Sequence, residues 1–443
     1  MDGPDERLAT QQAAPEILAG RAGAAQVLLM RGVRPFVSAS LMFSIATFLL
    51  AAALGKHIYD ITGSTLALGL LGLVEFLPAL LLLPVTGPTA DRFDRRRVGA
   101  LAAGVEAVVA VAMAAYALTD PTSVWPLFAL AACYGTARAF GGPAIRSLPP
   151  LIVGQRALPR LMPFSAGTIQ AGVIVGPALS GFLYDADEAV PYGVAGGLYV
   201  VGGASLLVLH TVRAQVRTDE GRRSWHMAIE GLRFVRRDQV LLGAISLDMF
   251  AVLFGGAVAL LPAIAEDRLG VGNVAYGWLR AAPGIGAVAV TLVLAMRPAR
   301  RSVGQLMFAA VSVFGIGTVA LGFTRNYVVA FVALVVLSGA DSISVFIRGV
   351  MIPLATPDHM RGRVMSVDSV FIGASNELGA FESGIAALLF GIGPAIVIGG
   401  SLTLVVVAIW CVAFARLRNV DRFDDVDVEG RDLERSSVPV THS

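Results

Sequence analysis

The chain has 443 residues, 56% of them hydrophobic and 15% charged, with a mean hydropathy of +0.73. A soluble protein of this size could not hide that much apolar surface, whereas a polytopic membrane protein leaves it to lipid. The formal net charge of +2 excludes little by its size, so the placement of the charges carries the information.

In chain order, residues 1–33 are mixed polar and read as a cytoplasmic tail. They lack the short apolar core and small-residue site of a cleavable signal, so the first span is expected to act as the insertion signal. Apolar runs of about twenty residues, each long enough to cross the hydrocarbon core as a helix, then follow one another about twelve times. The first six lie near Pro35 to Gly55, Leu66 to Thr86, Val98 to Leu118, Val124 to Ile145, Leu161 to Tyr184 and Tyr192 to Val212. A hydrophilic stretch, 213–239, carries Arg213, Arg217, Arg222, Arg223, Arg233, Arg236 and Arg237. Within it Trp225, Ile229 and Leu232 recur at helical spacing, which predicts a surface helix lying in the headgroup layer. Six more spans lie near Val240 to Leu261, Tyr276 to Met296, Val303 to Phe323, Tyr327 to Ile347, Val364 to Phe390 and Pro394 to Ala415. The acidic stretch 417–443 reads as a disordered cytosolic tail.

The chain is therefore read as an all-α polytopic membrane protein. Twelve transmembrane helices form two six-helix halves, 34–212 and 240–416, joined by the linker 213–239. Arginines concentrate in alternate loops: Arg92 with Arg95, Arg96 and Arg97; Arg156 with Arg160; the linker; Arg297 with Arg300 and Arg301; Arg361 with Arg363. The opposite loops hold little beyond Lys56, Arg268 and Arg325, and Lys56 is the only lysine. The asymmetry predicts that both termini are cytoplasmic. The arginine bias suggests a GC-rich bacterial genome, hence a bacterial cytoplasmic (inner) membrane. An internal echo supports duplication: Arg146-Ser-Leu-Pro-Pro-Leu closes the fourth span and Arg348-Gly-Val-Met-Ile-Pro-Leu the tenth.

The stretch Gly87-Pro-Thr-Ala-Asp91-Arg92-Phe-Asp94-Arg95-Arg96-Arg97, between the second and third spans, resembles the signature loop of the major facilitator superfamily of secondary transporters. Asp94 departs from it, since glycine is usual there; a turn accepts Asp, at some strain if its backbone is left-handed. The resemblance implies that Gly87, Asp91, Arg92, Arg95 and Arg96 form a cytoplasmic gating loop whose charges change partners as the halves rock. It also implies a substrate site near the midplane between duplicated halves. Pro357-Asp-His-Met-Arg361-Gly-Arg363, the stretch Gly373-Ala-Ser-Asn-Glu377-Leu-Gly, and Glu230-Gly-Leu-Arg-Phe-Val-Arg-Arg narrow it. They are similar to the branch containing the enterobactin exporter and macrolide-type drug exporters.

Ionisable groups inside spans cost about 2.5–3.5 kcal/mol on insertion scales unless a cavity or partner receives them. They are Glu75, Glu106, Arg138, Asp248, Arg280, Asp341, Glu377 and Glu382. Each could equally be a structural polar contact between helices. Arg138, four residues before Gly142, resembles the fourth-span arginine of proton-coupled members, and Asp341 lies at the repeat-equivalent depth in the tenth span. A pair or relay between them is expected, with Asp341 the first choice of titrating carboxylate. Glu377 and Glu382 are five apart, about 140° around an ideal helix, so one of them faces the cavity, and Glu377 beside Ser375 and Asn376 is preferred. Glu75 ranks next. Gly172, Gly176, Pro177 and Gly181 in the fifth span resemble the antiporter motif without its closing glycines; such spacing also serves close helix packing.

No phosphate-cradling loop is present, because Gly55-Lys56 lacks the preceding glycine, and no histidines stand at metal-ligand spacing. Cys133 and Cys411 lie in apolar runs and suit packing better than a disulfide or metal site. The expected function is export of a small apolar or amphipathic compound, siderophore or drug-like, in exchange for protons. No enzyme activity, cofactor or nucleic-acid partner is expected. Substrate, protons and membrane lipid are the partners, and the chain is read as a monomer. An importer, or a non-transporting scaffold or sensor on the same fold, stays open.

Overall fold

The computed structural model describes residues 27–30, 32–209 and 224–426, and in it every long element is a helix. The helices are α1 (Val33–Thr62), α2 (Thr65–Arg92), α3 (Arg95–Ala117), α4 (Trp125–Arg146), α5 (Pro149–Ala186) and α6 (Val190–Leu207). The linker helix α7 (Ser224–Arg237) follows, then α8 (Gln239–Phe254), α9 (Asn273–Met296), α10 (Val303–Phe323), α11 (Tyr327–Leu354), α12 (Asp358–Phe390) and α13 (Ile392–Ala413). Apart from α7, these are the twelve expected spans. Ten are long and apolar enough to cross a membrane by composition alone, counting α8 with its broken extension to Arg268. The other two are α4 and α12, which carry Arg138 and Glu377. Their lower apolarity is what lining a polar interior demands of a helix.

Among the described residues one apolar core is built from residues up to Leu209, two others from Val235 onward, and a small cluster of Tyr59, Leu68 and Ala263 joins the two stretches. Even numbers of crossings in each half place the beginnings of α1 and α8 and the end of α13 on one face, called here the terminal face; the α1–α2 turn marks the distal face.

Three expectations are modified. The signature loop is mostly helix, since α2 runs on through Arg92 and only Phe93 and Asp94 break it before α3. Asp94 is extended (φ −61°), so no left-handed strain arises; it caps α3, accepting from the Arg96 amide at 3.0 Å. This is the role in which a short carboxylate outperforms glycine. Second, α8 does not run straight: after Gly255 the chain tightens into a 3-10 turn, Gly256–Leu260, and then a π turn, Ile264–Arg268. Gly256 packs against the Gly379 backbone of α12, leaving no room for a side chain. Third, residues 417–426, expected within the disordered tail, fold back onto the terminal face. Leu417, Val420 and Val426 join the core, and Asp421 caps α10 through Ser302 N at 2.9 Å. A carboxylate at a helix N-terminus satisfies amides that the helix cannot. The rest of both expected tails, 1–26 and 427–443, lies outside the described residues.

The halves meet chiefly along α2 with α12 and α5 with α9. Small residues permit both crossings. A Cβ on Gly277 of α9 would stand 2.7 Å from the Pro177 carbonyl and 2.9 Å from Gly181. Replacing Gly277 with alanine is therefore expected to lower the thermal midpoint of the detergent-solubilised protein by a few degrees. Gly104→Ala, where the added methyl meets open space, is the control. Equal shifts in a thermal-unfolding assay would remove the crossing as a close contact.

Candidate functional site

The site is built where α4 crosses α2. Gly135 presses on the α2 backbone at Glu75, closer than any side chain would allow. Arg138, one turn along the same face of α4, is thereby delivered to the Glu75 side chain, Nη1 to Oε2 3.9 Å. That separation is an ion pair and not a direct hydrogen bond. The guanidinium is steered from below: it lies 5.6 Å from the Tyr134 ring centre, and Tyr134 is fully buried. The Tyr134 and Tyr199 hydroxyls are 2.7 Å apart, and Tyr199 is 3.2 Å from the Thr47 hydroxyl. Three helices of the first half thus fix one arginine. Its side chain nevertheless stays 49% exposed, against 17% for Glu75. Arg138 looks into open space between the halves.

The second half completes the cluster. The Glu377 carboxylate of α12 lies against Gly72, one turn before Glu75 on α2, and a Cβ on Gly72 would stand 2.5 Å from its Oε2. Arg280 of α9 lies within electrostatic reach of both Glu75 and Glu377. It is anchored by donating to the Val258 carbonyl at 2.6 Å, an acceptor in the 3-10 turn of the broken α8 extension. Two glutamates and two arginines from α2, α4, α9 and α12 therefore gather at one level between the halves. Glu106 of α3 sits behind Arg138, buried, with Gly141 packed beside its carboxylate. Glu382, half-buried and next to Ser383, lies outside this group.

Asp341 is elsewhere. Its charged neighbours are Asp248 and Arg348, and the expected pairing with Arg138 is not formed. Arg348, seven residues along α11 from Asp341, is the centre of a buried triad. It bonds Asp248 of α8 at 2.9 Å and Asp368 of α12 at 3.2 Å, and is itself 4% exposed. Sequence reasoning named Asp248 only as a charged residue, used Arg348 only for the internal echo, and missed Asp368. The signal available was the seven-residue spacing of Asp341 and Arg348, which puts both on one face of α11.

The terminal-face linker between α2 and α3 is tied inside its own half. Arg95 Nη1 donates to the Ser147 carbonyl at 3.3 Å, and Arg96 reaches the Leu209 carbonyl and holds Asp94 at 2.7 Å. The Arg96 guanidinium beside Asp94 keeps that carboxyl below the usual carboxylate range. Arg92 is exposed; the surroundings of Gly87 and the side chain of Asp91 lie outside the described residues. In α5, Gly172 and Gly176 pack on α1 at Ser44 and Leu49, while Pro177 and Gly181 meet α9. The antiporter-like stretch is thus a double-sided packing surface that also touches the other half.

Polar contacts between the halves gather toward the distal face. Lys56 of α1 bonds Glu266 at 2.9 Å, Tyr59 bonds Asp267 at 2.6 Å, and Tyr276 of α9 donates to the Ala52 carbonyl at 3.0 Å. The sole lysine and its neighbour one turn along α1 thus clamp the π turn of the other half. Thr65 of α2 reaches the Gly384 carbonyl of α12 at 3.1 Å. Toward the terminal face Leu81 and Val85 of α2 and Val370 of α12 are exposed. This conformation is closed at the distal face.

With that geometry in place, the comparisons agree with one another. The model of the family described as transmembrane secretion effector matches residues 30–436. The enterobactin exporter EntS of Escherichia coli O139:H28 (strain E24377A / ETEC) is 26% identical over 350 residues, covering 78% of this chain and 81% of the relative. The EntS of Shigella boydii serotype 18 (strain CDC 3083-94 / BS512) matches equally. Among solved structures, a bacterial homologue of the human lysosomal transporter Spinster, inward-facing and unoccupied, superposes with a TM-score of 0.66 at 12% identity, covering 90% of this chain and 97% of that one. A D-xylose–proton symporter superposes with 0.64 at 15% identity, covering 85% and 96%. These likenesses establish the fold.

The buried triad yields a stability test. Arg348→Met leaves two buried carboxylates without a counter-charge, a loss of about 3–5 kcal/mol, and should lower the thermal midpoint on the order of 10 °C. Asp368→Asn keeps an acceptor for Arg348 and leaves Asp248 to balance it, so its shift should be much smaller. Similar shifts in the two variants would show that Arg348 is not the centre of the charge balance.

Proposed function

Because the chain belongs to the transmembrane secretion effector family, on the major facilitator fold, we propose that it is a secondary exporter working by alternating access. The observation that carries this reading is the Glu75–Arg138–Glu377–Arg280 cluster, to which both halves contribute. The halves, 34–212 and 240–416, are the rocking units, and the terminal face is cytoplasmic because the short loops there hold the arginines. On that orientation the conformation described above is closed to the outside. Export then requires the Lys56–Glu266 and Tyr59–Asp267 contacts to break and the cytoplasmic ends of α2 and α12 to approach.

Protons are the coupling ion in this reading. With both glutamates ionised the four charges cancel; a proton on Glu75 removes its attraction to Arg138 and leaves the cluster with a net positive charge. In a water-poor interior that change is large enough to bias which conformation is preferred. Asp341, beside the Asp248–Arg348–Asp368 triad, is a second proton-binding carboxylate in the other half. Asp91 and its arginines act as the cytoplasmic latch, and Gly172, Gly176, Pro177 and Gly181 as the pivot on which the halves move. The cargo is a small amphipathic compound, siderophore or antibiotic-like; support for the siderophore class comes from the likeness to an enterobactin exporter. The protein works as a monomer in a bacterial inner membrane.

The test is proton movement in proteoliposomes carrying a pH-sensitive dye, with a catecholate siderophore or a macrolide added as cargo. Cargo-dependent proton flux is expected from the unaltered protein. It should fall at least about a hundredfold in Glu75→Gln and in Arg138→Ala, the low end of what losing one proton-transfer group costs. Asp341→Asn should also uncouple flux while leaving insertion intact, and Asp91→Ala should slow switching without weakening cargo binding. Full coupling in both Glu75→Gln and Arg138→Ala would overturn the assignment of the cluster.

A further inference from the structure

The linker helix α7 divides cleanly around its axis. At 100° per residue, Gly231, Phe234 and Val235 fall within one 100° sector. That sector is the docked one: Gly231 and Val235 are buried, and a Cβ on Gly231 would stand 2.9 Å from the Arg363 carbonyl of α12. Ile229, Leu232, Arg233, Arg236 and Arg237 occupy the opposite 140°, and all five are exposed. Ile229 is 43% exposed and Leu232 37%. The arginines are interleaved with the apolar pair and do not lie opposite it. Glu230, the acidic residue at the edge of this face, is already neutralised by an ion pair with Arg363. The face offered outward is therefore two aliphatic side chains framed by three guanidinium groups that make no ion pair among the described residues.

A water-facing helix would put its arginines outward and its aliphatic residues against the protein. A helix that lies in a lipid surface needs the combination seen here, with aliphatic groups at the acyl boundary and guanidinium groups reaching the phosphates. Charge selects the lipid: three arginines that form no ion pair among the described residues favour anionic over zwitterionic headgroups. The docked sector has its own consequence. α7 is joined to α12 by the Glu230–Arg363 ion pair and by the close contact under Gly231, and α12 carries Asp368 of the buried triad and Glu377 of the central cluster. We infer that the outer face of α7, formed by Ile229, Leu232, Arg233, Arg236 and Arg237, is a binding surface for anionic phospholipid, whose occupancy is transmitted to α12 through Glu230 and Arg363. The inference rests on membrane embedding and on neither the cargo nor the direction of transport.

Hydrogen–deuterium exchange on the full chain in nanodiscs tests it without a transport assay. In phosphatidylglycerol nanodiscs the amides of 229–237 should exchange on the order of tenfold more slowly than in phosphatidylcholine nanodiscs. The difference should collapse when salt is raised to about 0.5 M, where charge screening acts within a few ångströms. The combined R233Q, R236Q and R237Q variant should lose it at low salt. Inorganic phosphate added to phosphatidylcholine nanodiscs should not reproduce it, and if it did, a free anion rather than lipid would be the ligand and the proposal would fail. For transmission, the first turns of α12 (358–368) should also slow in phosphatidylglycerol. In Arg363→Gln that response should vanish while α7 stays protected. Equal exchange of 229–237 in the two lipids overturns the binding surface, whatever the fate of the variants. A persistent α12 response in Arg363→Gln overturns the transmission.

Discussion

Close approach of two helix backbones in an apolar interior is the constraint on which the site depends. Where Gly135 lets α4 reach the α2 backbone at Glu75, an arginine one turn away has no choice but to stand beside that carboxylate. The same device recurs at Gly72, which leaves the space the Glu377 carboxylate fills, and at Gly256, which seats the broken end of α8 against α12. Burying a charge in lipid is tolerated only beside a partner or a cavity, so the glycines are as much a part of the charge arrangement as the charged residues. Removing Cβ atoms sets the distance; the distance sets the electrostatics.

The breaks in helix geometry serve the same end. The 3-10 and π turns after Gly255 redirect backbone groups away from the regular helical ladder. The Val258 carbonyl, which also accepts from the Leu261 amide, takes Arg280 as a second donor and so locates the second cation of the cluster. The π turn at the end of the same segment presents Glu266 and Asp267 side by side to Lys56 and Tyr59. A single irregular stretch thus joins the central charges to the distal contacts.

Much of this was legible in the sequence, and the parts that were not share a cause. Hydropathy located the long helices, ten of which are apolar enough to cross a membrane by composition alone, and the Gly-Asp-Arg spacing pointed to the superfamily, because both depend on residue type and order alone. Asp341 was expected to meet Arg138 since repeat symmetry gives depth along the membrane normal; it does not give the direction a side chain takes around its helix, and Asp341 turns toward Asp248 and Arg348. Asp368 was overlooked because a carboxylate four residues into the expected span, Val364 to Phe390, reads as interfacial until its partner across the bundle is known. Asp94 looked like a strained substitute for glycine, but with α2 extended through Arg92 its backbone is ordinary and its side chain caps α3. Residues 417–426 carried acidic charge that suggested a solvated tail, while the apolar Leu417, Val420 and Val426 between those charges anchor it.

Arg348 of the second half and Arg138 of the first, which are not repeat counterparts, stand in contrasting settings. Arg348 is 4% exposed and bonded at 2.9 and 3.2 Å to two carboxylates, an arrangement that breaks only at high cost because either partner would be stranded. Arg138 is 49% exposed and stands 3.9 Å from a single carboxylate, with a buried tyrosine ring as its other support. The proposed exchange of partners at Arg138 needs an environment in which it is nearly neutral in free energy, and a loosely paired, half-exposed guanidinium suits that. A group that must keep a bundle rigid needs the reverse. The second half is thus pinned internally by its arginine while the first half offers its own to the space between them, an arrangement that suits the proposed rocking motion, with the change in charge contacts at the shared boundary.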